Sequence, residues 1–137
     1  MKTIYFTALI SLFTVGLAFA DPVTCSLIYM SDMNDQSTLT TSPDPIRLSP
    51  DLPPVNASGL RQRGRLAKGF RITIKMEPMV DGDQELSHGY NVSLQVEKGN
   101  AASYATTYAN PRERFRRLSG IMGFGKEQMT VNCDLVP

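Results

Sequence analysis

Three stretches of this chain alternate apolar and polar residues without a break: Phe70–Met76, Tyr90–Glu97 and Gln128–Leu135. Successive side chains on a strand point to opposite faces, so each stretch reads as a β-strand with one face on a core and one in water. Between the first two lies Glu77–Gly89, where Pro78 and Asp81-Gly82-Asp83 predict a hairpin with an extended tip. Gly99-Asn100 opens another turn, and Tyr104, Thr106 and Tyr108 alternate along a further strand over Ala102–Ala109. The fold class that follows is all-β, a small antiparallel β-sandwich or barrel of about six to eight strands.

The only two cysteines sit near the two ends of this pattern. Cys133 alternates with Met129, Val131 and Leu135 on the apolar face of the last strand. Cys25 does the same with Val23, Leu27 and Tyr29 in a first strand near Val23–Met30. Both thiols therefore point inward, which predicts a disulfide joining the terminal strands. A bridge over so long a loop is worth about 4–5 kcal/mol in the chain-entropy model. Cys-x-x-Cys spacing is absent, so the bridge reads as structural.

An oxidising compartment is consistent with the first twenty residues. Lys2, the apolar run Ile4–Phe19 and the small-x-small motif Ala18-Phe19-Ala20 have the layout of a cleaved export signal. The run is too short and too interrupted by Thr7, Ser11 and Thr14 to serve well as a membrane span. The mature chain is then 21–137, a single β-domain with no further membrane-spanning run, expected in the periplasm or outside the cell, with bacterial export favoured. The sequence carries 14 Lys+Arg and 13 Asp+Glu, and losing Lys2 leaves 13 of each. A neutral domain has no global field to draw it to nucleic acid or membranes, so any electrostatic partner must find a local patch.

Two segments depart from the strand pattern. Residues 42–59 carry five prolines and echo themselves as Ser42-Pro43-Asp44-Pro45 and Ser49-Pro50-Asp51-Leu52-Pro53. Missing backbone donors favour an extended, solvated surface arm, with an edge strand possible at Ile46-Arg47-Leu48. The second segment predicts one short helix. Asn110 suits its N-cap, Pro111 its first turn, Glu113 a return hydrogen bond to the cap, and Gly120 its end. Gly120–Lys126 then reads as a glycine-rich flexible loop into the last strand.

Arginines form the densest candidate binding groups. Arg61, Arg63 and Arg65 alternate, with Lys68 behind them, so an extended segment would carry a one-faced cationic stripe. The expected helix adds Arg112, Arg114, Arg116 and Arg117. Guanidinium forks grip phosphate or carboxylate, which points to an anionic envelope polymer such as lipopolysaccharide or to an acidic protein. Asp81-Gly82-Asp83-Gln84-Glu85 lacks the glycine and later glutamate of a calcium loop and reads as a solvated tip. Met30, Met33, Met76 and Met79 with His88 supply soft ligands that suit copper, though methionine is common core filler. A lone histidine, with no nucleophile elbow and no phosphate loop, gives catalysis little to stand on.

The function expected is therefore an exported, non-catalytic binding or protein-interaction module of the cell envelope, including an inhibitor. Its partner would be another envelope or extracellular protein. The alternatives are a binder of anionic polymers through the arginines, and a small enzyme or copper-handling protein. No catalytic, cofactor or metal residues are assigned.

Overall fold

The alternation read from the sequence becomes two antiparallel sheets packed on one core. A computed structural model of the protein describes residues 23–80, 86–109 and 116–135. The strands are β1 (Val23–Met30), β2 (Leu39–Thr41), β3 (Ile46–Leu48), β4 (Arg61–Ala67), β5 (Phe70–Val80), β6 (Leu86–Lys98), β7 (Ala101–Ala109), β8 (Arg116–Phe124) and β9 (Glu127–Leu135). One sheet runs β2-β1-β9-β8, with β3 also pairing β1; the other runs β4-β5-β6-β7. β2 and β3 share one edge of β1, opposite Ile28–Met30 and Val23–Cys25 respectively.

Three tight turns fix the registers. Lys68 and Gly69, both with positive φ, join Ala67 to Phe70 as a type I′ turn does. Gly99 and Gly125, at φ 60° and 63°, open the two-residue turns that close β6–β7 and β8–β9, as in type II′. With these registers set, every second residue faces inward. Phe70, Ile72, Ile74 and Met76 of β5 meet Val92, Leu94 and Val96 of β6 and the inner residues of β1, β8 and β9, all buried. Gly120 on β8 lets the layers close: a Cβ there would stand 2.9 Å from Leu94 Cδ2.

The predicted disulfide is present. Cys25 and Cys133 face each other directly in the β1–β9 ladder, with Cα atoms 3.9 Å apart and a separation of 108 positions in sequence. The β8–β9 turn explains why the thiols meet. A two-residue hairpin closes on a hydrogen-bonded pair, and alternation back along β9 makes Leu118–Cys133 another such pair. Cys133 therefore turns its backbone away from β1 and faces Cys25 as a non-hydrogen-bonded pair, where side chains lie closest.

Four expectations need correction. The helix expected over Asn110–Gly120 does not form where the structure describes it: Arg116–Phe124 is strand β8, and residues 110–115 lie outside the described set. Leu118, Gly120 and Met122 alternate inward, and pairing along β9 outweighs the local capping signals. For the same reason the glycine-rich segment is mostly ladder, with only Gly125-Lys126 in the turn. The proline-rich arm is not wholly solvated either, because Ile46 and Leu48 of β3 are buried against β1. Nine strands are found among the described residues, where about six to eight are expected from sandwich patterns.

Replacing both cysteines with alanine should lower unfolding stability by about 2–5 kcal/mol. Denaturant midpoints of oxidised wild type and the double variant measure this, and equal midpoints would show that the ladder holds the termini without the bond.

Candidate binding surfaces

The arginine stripe lies on one face, as its spacing predicts, but that is the inner face at the sheet's edge. Arg61, Arg63 and Arg65 stand opposite Met76, Ile74 and Ile72 of β5, and facing residues share a face. Two of the three are engaged by the proline-rich arm. Arg61 donates from Nε to the Leu52 carbonyl at 2.7 Å and from Nη1 to Gly59 at 2.8 Å. Arg65 Nη1 donates to the Asp44 carbonyl at 2.5 Å. Prolines leave the arm rich in carbonyls and poor in N–H groups, so guanidinium forks are suited to holding it. Arg63 stays exposed, and Lys68 sits in the β4–β5 turn with its ammonium 5.7 Å from the centre of the Tyr29 ring.

The second arginine group is only partly described. Arg112 and Arg114 fall outside the described residues. Arg117 pairs with Asp134 at 3.1 Å on the outer face, and Arg116 Nη1 donates to the Tyr108 carbonyl at 3.3 Å. Asp81–Glu85 also lie outside the described residues, and His88 falls on β6 with its side chain undescribed. Of the methionines, Met76 is buried in the core while Met79 is exposed, so that pair does not converge. Met33 instead packs with its sulfur 3.4 Å from where a Cβ on Gly123 would stand.

Two surfaces that the sequence did not single out emerge from the sheets. The outer face of β4–β7 holds a shallow groove of about 640 Å³. Lys75 and Glu77 of β5, Asn91 and Ser93 of β6, Thr106 and Tyr108 of β7, and Leu60 line it. Its donors and acceptors are varied and its two charges cancel. The opposite outer face is polar at one end, where Ser119 bonds Asn132 at 2.8 Å beside the Arg117–Asp134 pair.

At its other end that face is apolar. Ile28 and Met30 are outward neighbours on β1; Leu39 faces Met30 from β2, and Ile121 lies in the Ile28 row with Thr130 between. Met33 covers the Gly123 position beside them. Ile121, Leu39 and Met33 are 59%, 46% and 42% exposed, so the cluster is a surface and not part of the core. Four members lie on β1, the loop after it and β2, while Ile121 comes from distant β8, and only register brings it to the others.

A half-buried network closes the turn end of the sandwich. Glu127 accepts from the Tyr29 hydroxyl at 2.5 Å and from the Lys98 ammonium, which also stands 4.5 Å from the centre of the Phe70 ring. Bonding to Lys98, then to Tyr29, holds the Glu127 carboxyl below its ordinary value. The same bond to Glu127 raises the Tyr29 hydroxyl.

Two outcomes follow. A carboxyl whose folded value is lowered stabilises the fold above the unfolded carboxylate range and loses that contribution as pH falls through the folded value. The stability gap between wild type and Lys98→Met should therefore be largest near neutral pH and shrink in acid; a gap independent of pH would rule out the ion pair as its source. Arg61→Ala with Arg65→Ala should speed proteolytic cleavage within 42–59, and unchanged cleavage would show that the arm is held by other contacts.

Against family models, curated proteins and solved structures the chain finds no match, so its function rests on the surfaces described above.

Proposed function

We propose that this chain is an exported, non-catalytic protein-interaction module of the cell envelope or extracellular space, and that its partner protein docks on the apolar end of the β2-β1-β9-β8 sheet. The observation that carries this reading is the cluster of Ile28, Met30, Met33, Leu39 and Ile121 on an outer sheet face. Monomeric proteins seldom leave contiguous apolar surface in water without an interaction to use it. Thr41, Thr130 and Gln128 intersperse the cluster with polar groups, the mixture expected of an apolar patch with a polar rim. An inhibitor of another exported protein would use the same physics. The export-signal layout of residues 1–20 supports placing the partner in the same compartment.

A second reading, binding of an anionic polymer such as lipopolysaccharide, draws on Arg63, Lys68, Arg116 and Arg117. It ranks lower because Arg61 and Arg65, the flanks of the stripe, already donate to arm carbonyls.

The test compares wild type with an Ile121→Asp, Leu39→Asp variant, each exported and oxidised, as baits for envelope and medium extracts. A hydrophobic interface survives a high-salt wash and a charge-driven one does not. The expected result is a protein held by wild type at high salt and lost with the variant, whose thermal melt stays native. A ligand equally retained by both baits, or one released by salt, would overturn the apolar docking face.

A further inference from the structure

The two edges of the β4-β5-β6-β7 sheet are built differently. At β4 the side chains beside the edge are Arg61, Arg63 and Arg65 pointing inward, and the first and last reach across to carbonyls of residues 42–59. Inward-pointing charge and a covering segment are recognised ways of stopping an edge from pairing with another chain. Among the described residues β7, the opposite edge, has no inward-pointing charge, and the one side chain seen to reach its edge is Arg116, at the Tyr108 carbonyl. Ala101–Ala109 contains no charged residue and no proline, and it pairs β6 through nine consecutive positions without a bulge.

The β6–β7 turn determines which groups β7 presents. Its two-residue hairpin closes on Lys98–Ala101 as a hydrogen-bonded pair, so the odd-numbered residues of β7 exchange bonds with β6. Ala102, Tyr104, Thr106 and Tyr108 then direct both N–H and C=O to the outer edge. The bond from Arg116 to the Tyr108 carbonyl fits this assignment. Among the described residues, no backbone group meets Ala102, Tyr104 or Thr106 on that edge.

We infer that β7 is a self-association edge, and that two copies of this chain pair antiparallel through it about a two-fold axis at Tyr104. In that register Tyr104 faces the partner's Tyr104, and Ala102 faces the partner's Thr106. Each facing pair exchanges both backbone bonds, while the Tyr108 carbonyl keeps its bond to Arg116. The two four-stranded sheets become one continuous sheet. A second copy fits this edge because an isologous contact sets each residue near its own kind: a charge-free run meets itself without repulsion, where the β4 edge would set arginine against arginine. It also gives the Tyr104 ring, 65% exposed on the outer face, a directly opposed aromatic partner.

Sedimentation of the oxidised, exported protein over a dilution series tests this, because Tyr104 is exposed and can be exchanged for a charge without disturbing the core. Wild type should sediment as a dimer that dissociates on dilution. Tyr104→Lys and Tyr104→Glu should each be monomeric with native thermal melts, since each would oppose like charges at the axis. Mixing the two variants should restore the dimer. Wild type that is monomeric throughout, a single variant that stays dimeric, or a mixture that stays monomeric would overturn the Tyr104-centred pairing. Ile121→Asp, on the other sheet, should leave the dimer intact, so this result and the docking reading above fail separately.

Discussion

The ladder between β1 and β9 is the interaction on which the rest of the structure depends. It joins the first described strand to the last through eight consecutive pairs, from Val23–Leu135 to Met30–Gln128. Both outer neighbours of the five-stranded sheet hang from it, β8 on β9, and β2 and β3 on β1. Its inner side chains belong to the same buried cluster as Phe70, Ile72 and Leu94, so loss of this ladder would expose those residues as well as its own. The Cys25–Cys133 bond sits inside the ladder near its Val23 end and fixes the register of both strands at once. A slip by one residue would turn every inner side chain of one strand to solvent.

Much of this was legible from residues, and the failures have a common cause. Strands whose outer faces are polar and inner faces apolar announced themselves, as Phe70–Met76, Tyr90–Glu97 and Gln128–Leu135 show. β8 did not, because its inward positions are Leu118, Gly120 and Met122 and its outward ones include Ile121. A glycine inside and an isoleucine outside erase the period of two, and the capping residues before it then suggest a helix. β4 is obscured in the opposite way, with arginines on its inner face, of which Arg61 and Arg65 are held by carbonyls 2, 9 and 21 positions away. Nothing in sequence spacing reveals such partners. The apolar cluster was hidden for a related reason: Ile28 and Ile121 are neighbours only through the register of two ladders.

The sandwich is asymmetric about its own core. On one side the gap between the sheets is crossed by the proline-rich arm, with β3 attached to β1 and the arm's carbonyls attached to β4. On the other side Arg116 of β8 reaches the Tyr108 carbonyl of β7. The turn end is closed by charge and aromatic rings, through Lys98, Glu127, Tyr29 and Phe70. Polar closure at an exposed end avoids the cost of burying ions completely while still excluding water from Phe70.

The distance in sequence between β1 and β9 also sets a timetable. A chain made from its N-terminus produces β1 before every other described strand and its ladder partner β9 after them, so the five-stranded sheet cannot close until Leu135 has been added. The β4–β7 sheet is under no such restriction, since its three hairpins pair neighbours in sequence. Local hairpins form quickly, whereas long-range pairing must first overcome loop-closure entropy. The growing chain therefore carries one sheet that can assemble early and one that has to wait. During that interval Val23, Leu27, Ile72 and Leu94 lack their cover, and a partner that holds the unpaired strands would protect them.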